Sequence, residues 1–415
     1  MKVLKKTRSF EEYSRSKITI AIIKAMESVQ SVDTEKADEI SRMIESTLTT
    51  TTSLDDTITV DHIHNLVENQ LMTSGLNQVA KEYILYREKR RSDIFKKRLT
   101  LKPDEYPELA EYVDSIRHSY WIHDEFNYTS DIQDIKVTLS DKERTAVVRS
   151  MLAISQVEVA VKTFWGKIYD KMPKPEIGSV GATFAESEVR HADAYSNLIK
   201  LLGLYSQFES ILEVPAIRKR VKYLEKAIAN GSVLDNREYF ESVILFSMFV
   251  ENVSLFSQFL VIMSFNKHKN ILKGMSNVVE ATSKEEQIHA NFGFDLVNTI
   301  KRENPDWWTD ALIEDIVDAT LEAYDAEEDI VEWIFELGDL DFLTKNQTLE
   351  FIKNRFNKSL NEIGIDSVFE VNSAILLKTE WFDDEVMITK HTDFFNKRSI
   401  NYTKRQKSIT EDDLF

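Results

Sequence analysis

Hydrophobic residues recur at intervals of three and four along most of this chain, the repeat that turns one face of an α-helix toward a core. Four such stripes stand out in the middle of the sequence. They run through Val147, Met151, Ile154, Glu158, Val161 and Trp165; through Phe184, Glu188, His191, Tyr195 and Leu198; through Ile244, Met248, Glu251, Leu255 and Phe259; and through Met275, Val279, Glu286, His289 and Leu296. Ser140-Asp-Lys-Glu143 reads as a capping box that opens the first of these helices. Breaks are expected from Pro173 to Gly181, near Asn230-Gly231, at Pro305 and around Gly338, and the apolar repeat fades after His391. The N-terminal part reads differently: a strand-like run over Lys2–Lys6, helical spacing from Lys17 through Ile18, Ile20, Ile22 and Ile23, and an interruption at Thr47–Thr52. A helix is predicted to start at Ile58 and another to pass through Val79, Tyr83, Leu85 and Tyr86, with residues 92–106 as a linker.

Composition agrees with a mainly α fold. Only 10 Gly and 6 Pro occur in 415 residues, so few helix breakers are present. That length has room for two or three domains, each able to bury a core. No uninterrupted apolar run of membrane-spanning length occurs, and Met1-Lys-Val-Leu-Lys-Lys lacks the character of a signal peptide, so a soluble cytoplasmic chain is expected. Cys is absent, which removes disulfides, thiolate ligands and thiol catalysis from this polypeptide. The net charge of −18 argues against binding nucleic acid. Residues 1–95 hold 14 Lys or Arg against 15 Asp or Glu, so almost all of the excess negative charge lies beyond them, as two modules would produce.

The interruptions in the four stripes need a physical reason. A buried carboxylate without a partner is costly, and each stripe carries one at its middle. A shared cation removes the cost. The order is a lone Glu158 and then Glu188-x-x-His191, followed by a lone Glu251 and then Glu286-x-x-His289. Residues three apart share a helix face, so two such pairs and two single Glu converge as the ligand set of a carboxylate-bridged dinuclear site, suited to iron or manganese. A single Glu-x-x-His pair has little weight in so acidic a chain. Asp61-x-x-His64 has the same spacing and reads as helix surface, and Ser283-Lys-Glu-Glu286 also fits a capping box that would make Glu286 structural.

Around these residues, in particular Gln156-Val-Glu-Val-Ala-Val-Lys-Thr-Phe-Trp165 and Ala185-Glu-Ser-Glu-Val-Arg-His-Ala-Asp-Ala-Tyr195, residues 105–415 resemble the small, radical-generating subunit of class I ribonucleotide reductase. The resemblance implies a ferritin-like helical bundle over residues 107–390 with Glu158, Glu188, His191, Glu251, Glu286 and His289 as ligands. Many members have Asp at the first ligand position, so Glu158 is a departure; its longer carboxylate tips the expectation toward manganese. By the same resemblance Tyr195 sits where the family stores a tyrosyl radical, and Trp121 occupies the position of the relay Trp. Glu285 stands where an acidic residue links that Trp to the ligand His191, and Tyr402 is the candidate last relay in a tail, residues 391–415, whose Asp412-Asp-Leu-Phe415 resembles a peptide that docks on the large subunit. A Cys-free chain fits a family whose thiols belong to the partner.

Residues 1–91 resemble the ATP-cone, a small α+β nucleotide-sensing domain, through Val3-Leu-Lys-Lys6, Ser16-Lys-Ile18, Ile58-Thr-Val60 and Val79-Ala-Lys-Glu-Tyr-Ile-Leu-Tyr-Arg87. Nucleotide contacts are expected from Lys5, Lys6, Arg8, Lys17, Lys81 and Arg87, with ATP and dATP as effectors. Thr7-Arg8 replaces the usual Gly after the basic cluster. The implied assembly is a homodimer that dATP drives to a tetramer, working on ribonucleoside diphosphates with its large subunit. A ferritin-like storage protein would share the ligands but explains neither the nucleotide module nor the tail, a di-metal oxygenase leaves the cone without a purpose, and a helical nucleotide sensor with merely structural carboxylates is a third reading, favoured by full stability without metal.

Overall fold

Long amphipathic stripes and scarce breakers yield a chain that is helical over most of its length, with one small sheet near the N-terminus. The structure is a computed structural model that describes residues 2–4, 10–51, 57–89, 93–229 and 235–387, with the backbone alone at 51, 86–89, 160–162, 229 and 387. Two compact units are present. One is built on residues up to Asp93 with Glu105–Glu108, the other on Ile94–Asp104 and the described residues from Leu109 onward.

In the first unit β1 (Lys2–Leu4) is the central strand, antiparallel to β2 (Phe10–Glu12) with Val3 opposite Glu11, and parallel to β3 (Thr57–Thr59) with Val3 opposite Ile58. Helices α1 (Arg15–Ser28), α2 (Thr34–Thr51), α3 (Val60–Thr73) and α4 (Asn77–Lys89) enclose a core that includes Ile18, Ile22, Ile40, Ile44, Leu48, Val67, Leu71 and Tyr83. Three expectations are corrected here. The Thr-rich segment does not interrupt the helix, because the hydroxyls of Thr47, Thr49 and Thr50 donate to carbonyls one turn back and Leu48 anchors that turn in the core. Ile58 is a strand residue, and α3 begins only at Val60, where Thr59 Oγ1 accepts from the His62 amide at 3.2 Å. His64 is no ordinary surface residue, since it is half-buried with its Nδ1 2.8 Å from the Tyr83 hydroxyl.

The second unit is a helical bundle. Its principal members are α5 (Tyr112–Ser119), α6 (Asp141–Gly166), α7 (Pro175–Leu202), α8 (Pro215–Ala229), α9 (Asn236–Leu245), a π-helix (Phe246–Ser254), α10 (Phe256–Lys269), α11 (Lys273–Glu303), α12 (Asp310–Ile334), α13 (Lys345–Glu362) and α14 (Glu380–Met387). The capping box at Ser140 is present in both directions. The break placed at Pro173–Gly181 shrinks to the residues before Pro175, which opens α7 as a helix-starting proline. Gly178 and Gly181 lie inside that helix because packing demands it. A Cβ on Gly181 would stand 2.4 Å from the Trp165 carbonyl oxygen, so glycine lets α7 and α6 approach there. The helices on either side of Asn230-Gly231 end at Ala229 and begin again at Asn236, the break itself lying outside the described residues. Breaks at Pro305 and around Gly338, which has φ +100°, are found as expected.

Two further features position the site. The third stripe is not carried on a plain α-helix; Glu251 lies in the π-helix, whose wider turns shift the side-chain register at that point. Ser283 does not cap a helix either, because α11 begins ten residues earlier at Lys273 and the Ser283 hydroxyl donates to the Glu280 carbonyl. The N-terminus of α11 is held instead by Asp131, whose carboxylate accepts from the amides of Gly274 at 3.2 Å and Met275 at 2.7 Å. In the stretch 92–106, Ile94 is fully buried and Arg98 is paired with buried Glu176. One stretch, Asn236–Lys269, is long and apolar enough to cross a membrane by composition, yet 94% of its most apolar window is buried inside the protein.

Candidate metal centre

The four stripes bring their carboxylates to one place. Glu158 comes from α6, Glu188 and His191 from α7, Glu251 from the π-helix, and Glu286 and His289 from α11, none more than 2% exposed. They form two overlapping groups, Glu158 with Glu188 and His191, and Glu188 with Glu251, Glu286 and His289, each with ligand-type atoms within 4.8 Å of one another. Glu188 belongs to both. One of its oxygens lies 3.0 Å from His289 Nδ1 and the other 3.6 Å from His191 Nδ1. Glu286 is placed likewise, 3.0 Å from His191 Nδ1 and 3.4 Å from His289 Nδ1. The two paired carboxylates therefore span the two imidazoles, while Glu158 and Glu251 stand at opposite ends.

Each imidazole is oriented from behind by the residue that precedes the Glu of the other pair. Glu285 Oε2 accepts from His191 Nε2 at 2.7 Å, and Ser187 Oγ lies 2.9 Å from His289 Nε2 while donating its own proton to the Phe184 carbonyl. Both partners thus accept from Nε2–H, which turns each Nδ1 toward the centre. Glu285 also accepts from Arg190 at 3.2 Å and from Ser119 Oγ at 2.9 Å, so its charge is balanced by a buried guanidinium. Trp165 Nε1 donates to Glu251 Oε1 at 2.6 Å. Aromatic rings of Phe184, Phe246 and Phe292 stand edge-on around that indole and keep the far side dry.

The electrostatics are those of a crowded, dehydrated anionic cavity. Burial alone disfavours charge on His191 and His289, but the surrounding carboxylates overcome it and hold both well above the usual imidazole range. Burial, with the Glu286 charge, pushes Glu251 up. Burial acts on Glu286 too, yet the close approach of both histidines pulls it below the ordinary carboxylate range. Four carboxylates face two imidazoles, so negative charge remains even when both rings are protonated. Among the described residues, both oxygens of Glu188, Oε1 of Glu286 and the Nδ1 atoms of both histidines have no hydrogen-bond partner. Buried polar atoms are rarely left so. Hard oxygens and borderline nitrogens converging in this way fit two divalent transition-metal ions.

Tyr195 lies on α7 one turn past His191 and is 1% exposed. Burial, with the charge of Glu158, drives its hydroxyl well above the usual phenol range, against the opposing pull of the Thr282 hydroxyl. Trp121 is buried and stacks on His191, ring centroids 5.7 Å apart and planes 14° from parallel. Here the structure corrects the reading of Glu285 as a link between the two. Glu285 bonds His191, whereas Trp121 Nε1 has no hydrogen-bond partner among the described residues and the indole meets the imidazole face to face. Tyr402 lies outside the described residues.

Of the basic residues read as nucleotide contacts, Lys5, Lys6 and Arg8 also lie outside the described residues, as does the Arg87 side chain. Lys17 is exposed and paired with Glu11, and Lys81 is exposed on α4. Apolar spacing and motif order do not single out Ser187, Arg190 or the hydrogen-bonding role of Trp165. Ser187 had a signal: it occupies, before Glu188, the place that Glu285 occupies before Glu286.

Residues 98–374 match the family model for the ribonucleotide reductase small chain, and residues 1–92 match the ATP cone domain. A ribonucleoside-diphosphate reductase subunit beta of Chlamydia pneumoniae is 24% identical over 294 residues, covering 68% of this chain and 83% of that protein. Among solved structures, a ribonucleotide reductase R2 subunit from Clostridium botulinum superposes with a TM-score of 0.61 at 17% identity, over 68% of this chain and 89% of its own. A Streptococcus sanguinis dimanganese(II)-NrdF does so with a TM-score of 0.59 at 17% identity, over 69% of this chain and 99% of its own. The interrupted stripes, the crossed histidine supports and these matches lead to one conclusion: the chain belongs to the ribonucleotide reductase small-chain family and carries an ATP cone at its N-terminal end.

Proposed function

We propose that Glu158, Glu188, His191, Glu251, Glu286 and His289 would hold two metal ions, manganese or iron. The observation that carries this reading is the set of buried carboxylate and imidazole atoms that face one another without hydrogen bonds. A relative of the same fold is described with two manganese ions, which agrees with the donor set. When bound, the metals would react with an oxygen species and supply the oxidising equivalent that the large subunit uses to reduce ribonucleoside diphosphates.

The protein's part is to keep that equivalent dry and to pass it on. Tyr195, buried with its hydroxyl close to the charge of Glu158, is the proposed place of storage on the polypeptide. The proposed exit runs from His191 through the stacked Trp121, with Glu285 and Arg190 holding the imidazole in place, and ends at Tyr402 in a tail that docks on the large subunit through Asp412–Phe415. The absence of Cys leaves the substrate-reducing thiols to that partner. Residues 1–91 act as the sensing domain, 92–106 as connector, 107–390 as the radical-generating domain and 391–415 as the tail, in a cytoplasmic homodimer. Loaded with Mn(II) or Fe(II), exposed to oxygen and mixed with its large subunit, the chain should reduce ribonucleoside diphosphates. No turnover with either metal would overturn the reading.

The cone is proposed to regulate through assembly. ATP and dATP compete for one basic site that includes Lys5, Lys6, Arg8, Lys17, Lys81 and Arg87 but favour different oligomers, so the effector acts through its difference in affinity for the two states. In sedimentation velocity, dATP should convert the dimer to a tetramer and ATP should not. Identical sedimentation with ATP, with dATP and without nucleotide would rule this mechanism out.

A further inference from the structure

The residues that directly follow two of the proposed ligands, Asn252 after Glu251 and Gln287 after Glu286, are both buried and both held by one side chain from outside the four stripes. Arg355, on α13 and 2% exposed, donates from Nε to the Asn252 carbonyl at 2.6 Å and from Nη2 to Asn252 Oδ1 at 2.6 Å and Gln287 Oε1 at 2.9 Å. Its guanidinium carbon lies 3.5 Å from the centre of the Phe256 ring, which fixes the plane of the fork. Asp383, at 3.4 Å from Nη1, is its carboxylate partner. The remaining named donations go to neutral acceptors on the two ligand-bearing elements, an unusual use for a buried cation.

The need for such a clamp follows from the π-helix. Asn252 lies near its C-terminal end, just before α10 begins, and Arg355 donates to its backbone carbonyl there. Ser359, one turn further along α13, accepts from Asn252 Nδ2 at 2.7 Å and donates to the Met248 carbonyl at 3.4 Å. α13 therefore braces the irregular turn on both sides of Glu251, and through Gln287 ties it to α11.

We infer that Arg355 is a positioning residue for the metal centre: its guanidinium sets the distance between the backbones that carry Glu251 and Glu286. The inference rests on the two-metal reading of the six side chains. Arg355 touches neither ligand, so its effect is on where they stand rather than on what they are. Metal affinity is sensitive to such support, with loss of an outer partner typically costing about 10-fold to 100-fold.

The test uses the full chain and Mn(II) under anaerobic conditions. Arg355→Met, which keeps the length of the side chain, should weaken binding of the metal nearer Glu251 by roughly 10-fold or more. At two equivalents of Mn(II) its EPR spectrum should show the six lines of isolated ions where the wild type shows an exchange-coupled pair. Arg98→Met is the control, since it breaks another buried Arg–carboxylate pair in the same unit, with Glu176, away from the site. It should lower the melting temperature and leave Mn(II) affinity within about twofold of wild type. Should Arg355→Met fail to fold, Arg355→Lys and Gln287→Leu decide the matter, each expected to weaken the same metal by a smaller factor. Wild-type affinity and a coupled spectrum in the folded Arg355 variants, or an equal loss in Arg98→Met, would overturn the inference while leaving the two-metal reading intact. Failure of the wild type itself to bind two Mn(II) would remove both.

Discussion

Glu188→Gln should abolish turnover with the large subunit, by about a thousandfold or more, while the metal-free protein becomes no less stable. Glu188 is one of the two carboxylates whose oxygens face both histidines, so the change removes a charged donor from the middle of the cluster and keeps the volume. The metal content should fall from two per chain to one or none. Stability moves the other way for an electrostatic reason. Four buried carboxylates against two imidazoles repel one another when no cation is present, and removing one charge relieves that, by about 1 kcal/mol. Metal analysis and thermal unfolding of the metal-free protein check the two halves separately. A variant that keeps two metals, or one that loses several kcal/mol when metal-free, would show that the cluster is a structural network.

Tyr402→Phe should leave metal content, fold and the oxidation of the cluster untouched and still reduce turnover to background. Phe keeps the ring and removes the hydroxyl, the group through which a phenol gives up a proton with its electron. The paired readouts separate a relay from a docking role: affinity for the large subunit, measured by competition with a peptide ending in Asp412-Asp-Leu-Phe415, should not change. Normal turnover would remove Tyr402 from the path, and weakened docking would reassign it to recognition.

The fold class and the convergence of the four interrupted stripes were legible because both rest on one-dimensional signals. A stripe of period three to four marks a buried helix face, and an acidic residue in the middle of it is an anomaly that survives any uncertainty about helix ends. What was misread has a physical cause in each case. Thr47–Thr50 looked like a break, but hydroxyls that bond back to their own helix let it continue. Gly178 and Gly181 looked like turn residues and instead admit close contacts inside α7, with Tyr169 and with the Trp165 carbonyl. The π-helix at Glu251 leaves no trace in apolar spacing, because it is imposed by tertiary partners such as Arg355 and Ser359 that lie about a hundred residues away. Trp121 illustrates the same limit. Its place near His191 was anticipated, but whether an indole bonds to Glu285 or stacks on the imidazole depends on side-chain geometry that no spacing encodes.

The most direct test of the central claim is EPR spectroscopy, with metal analysis, on the chain loaded separately with Fe(II) and Mn(II) and then exposed to oxygen. The account predicts close to two metals per chain and an oxidised centre in at least one of the two samples. A narrow organic signal lost in Tyr195→Phe places the equivalent on Tyr195; a multiline manganese signal without it leaves the equivalent on the metals. Fewer than two metals per chain in both samples, with neither signal, would contradict the account.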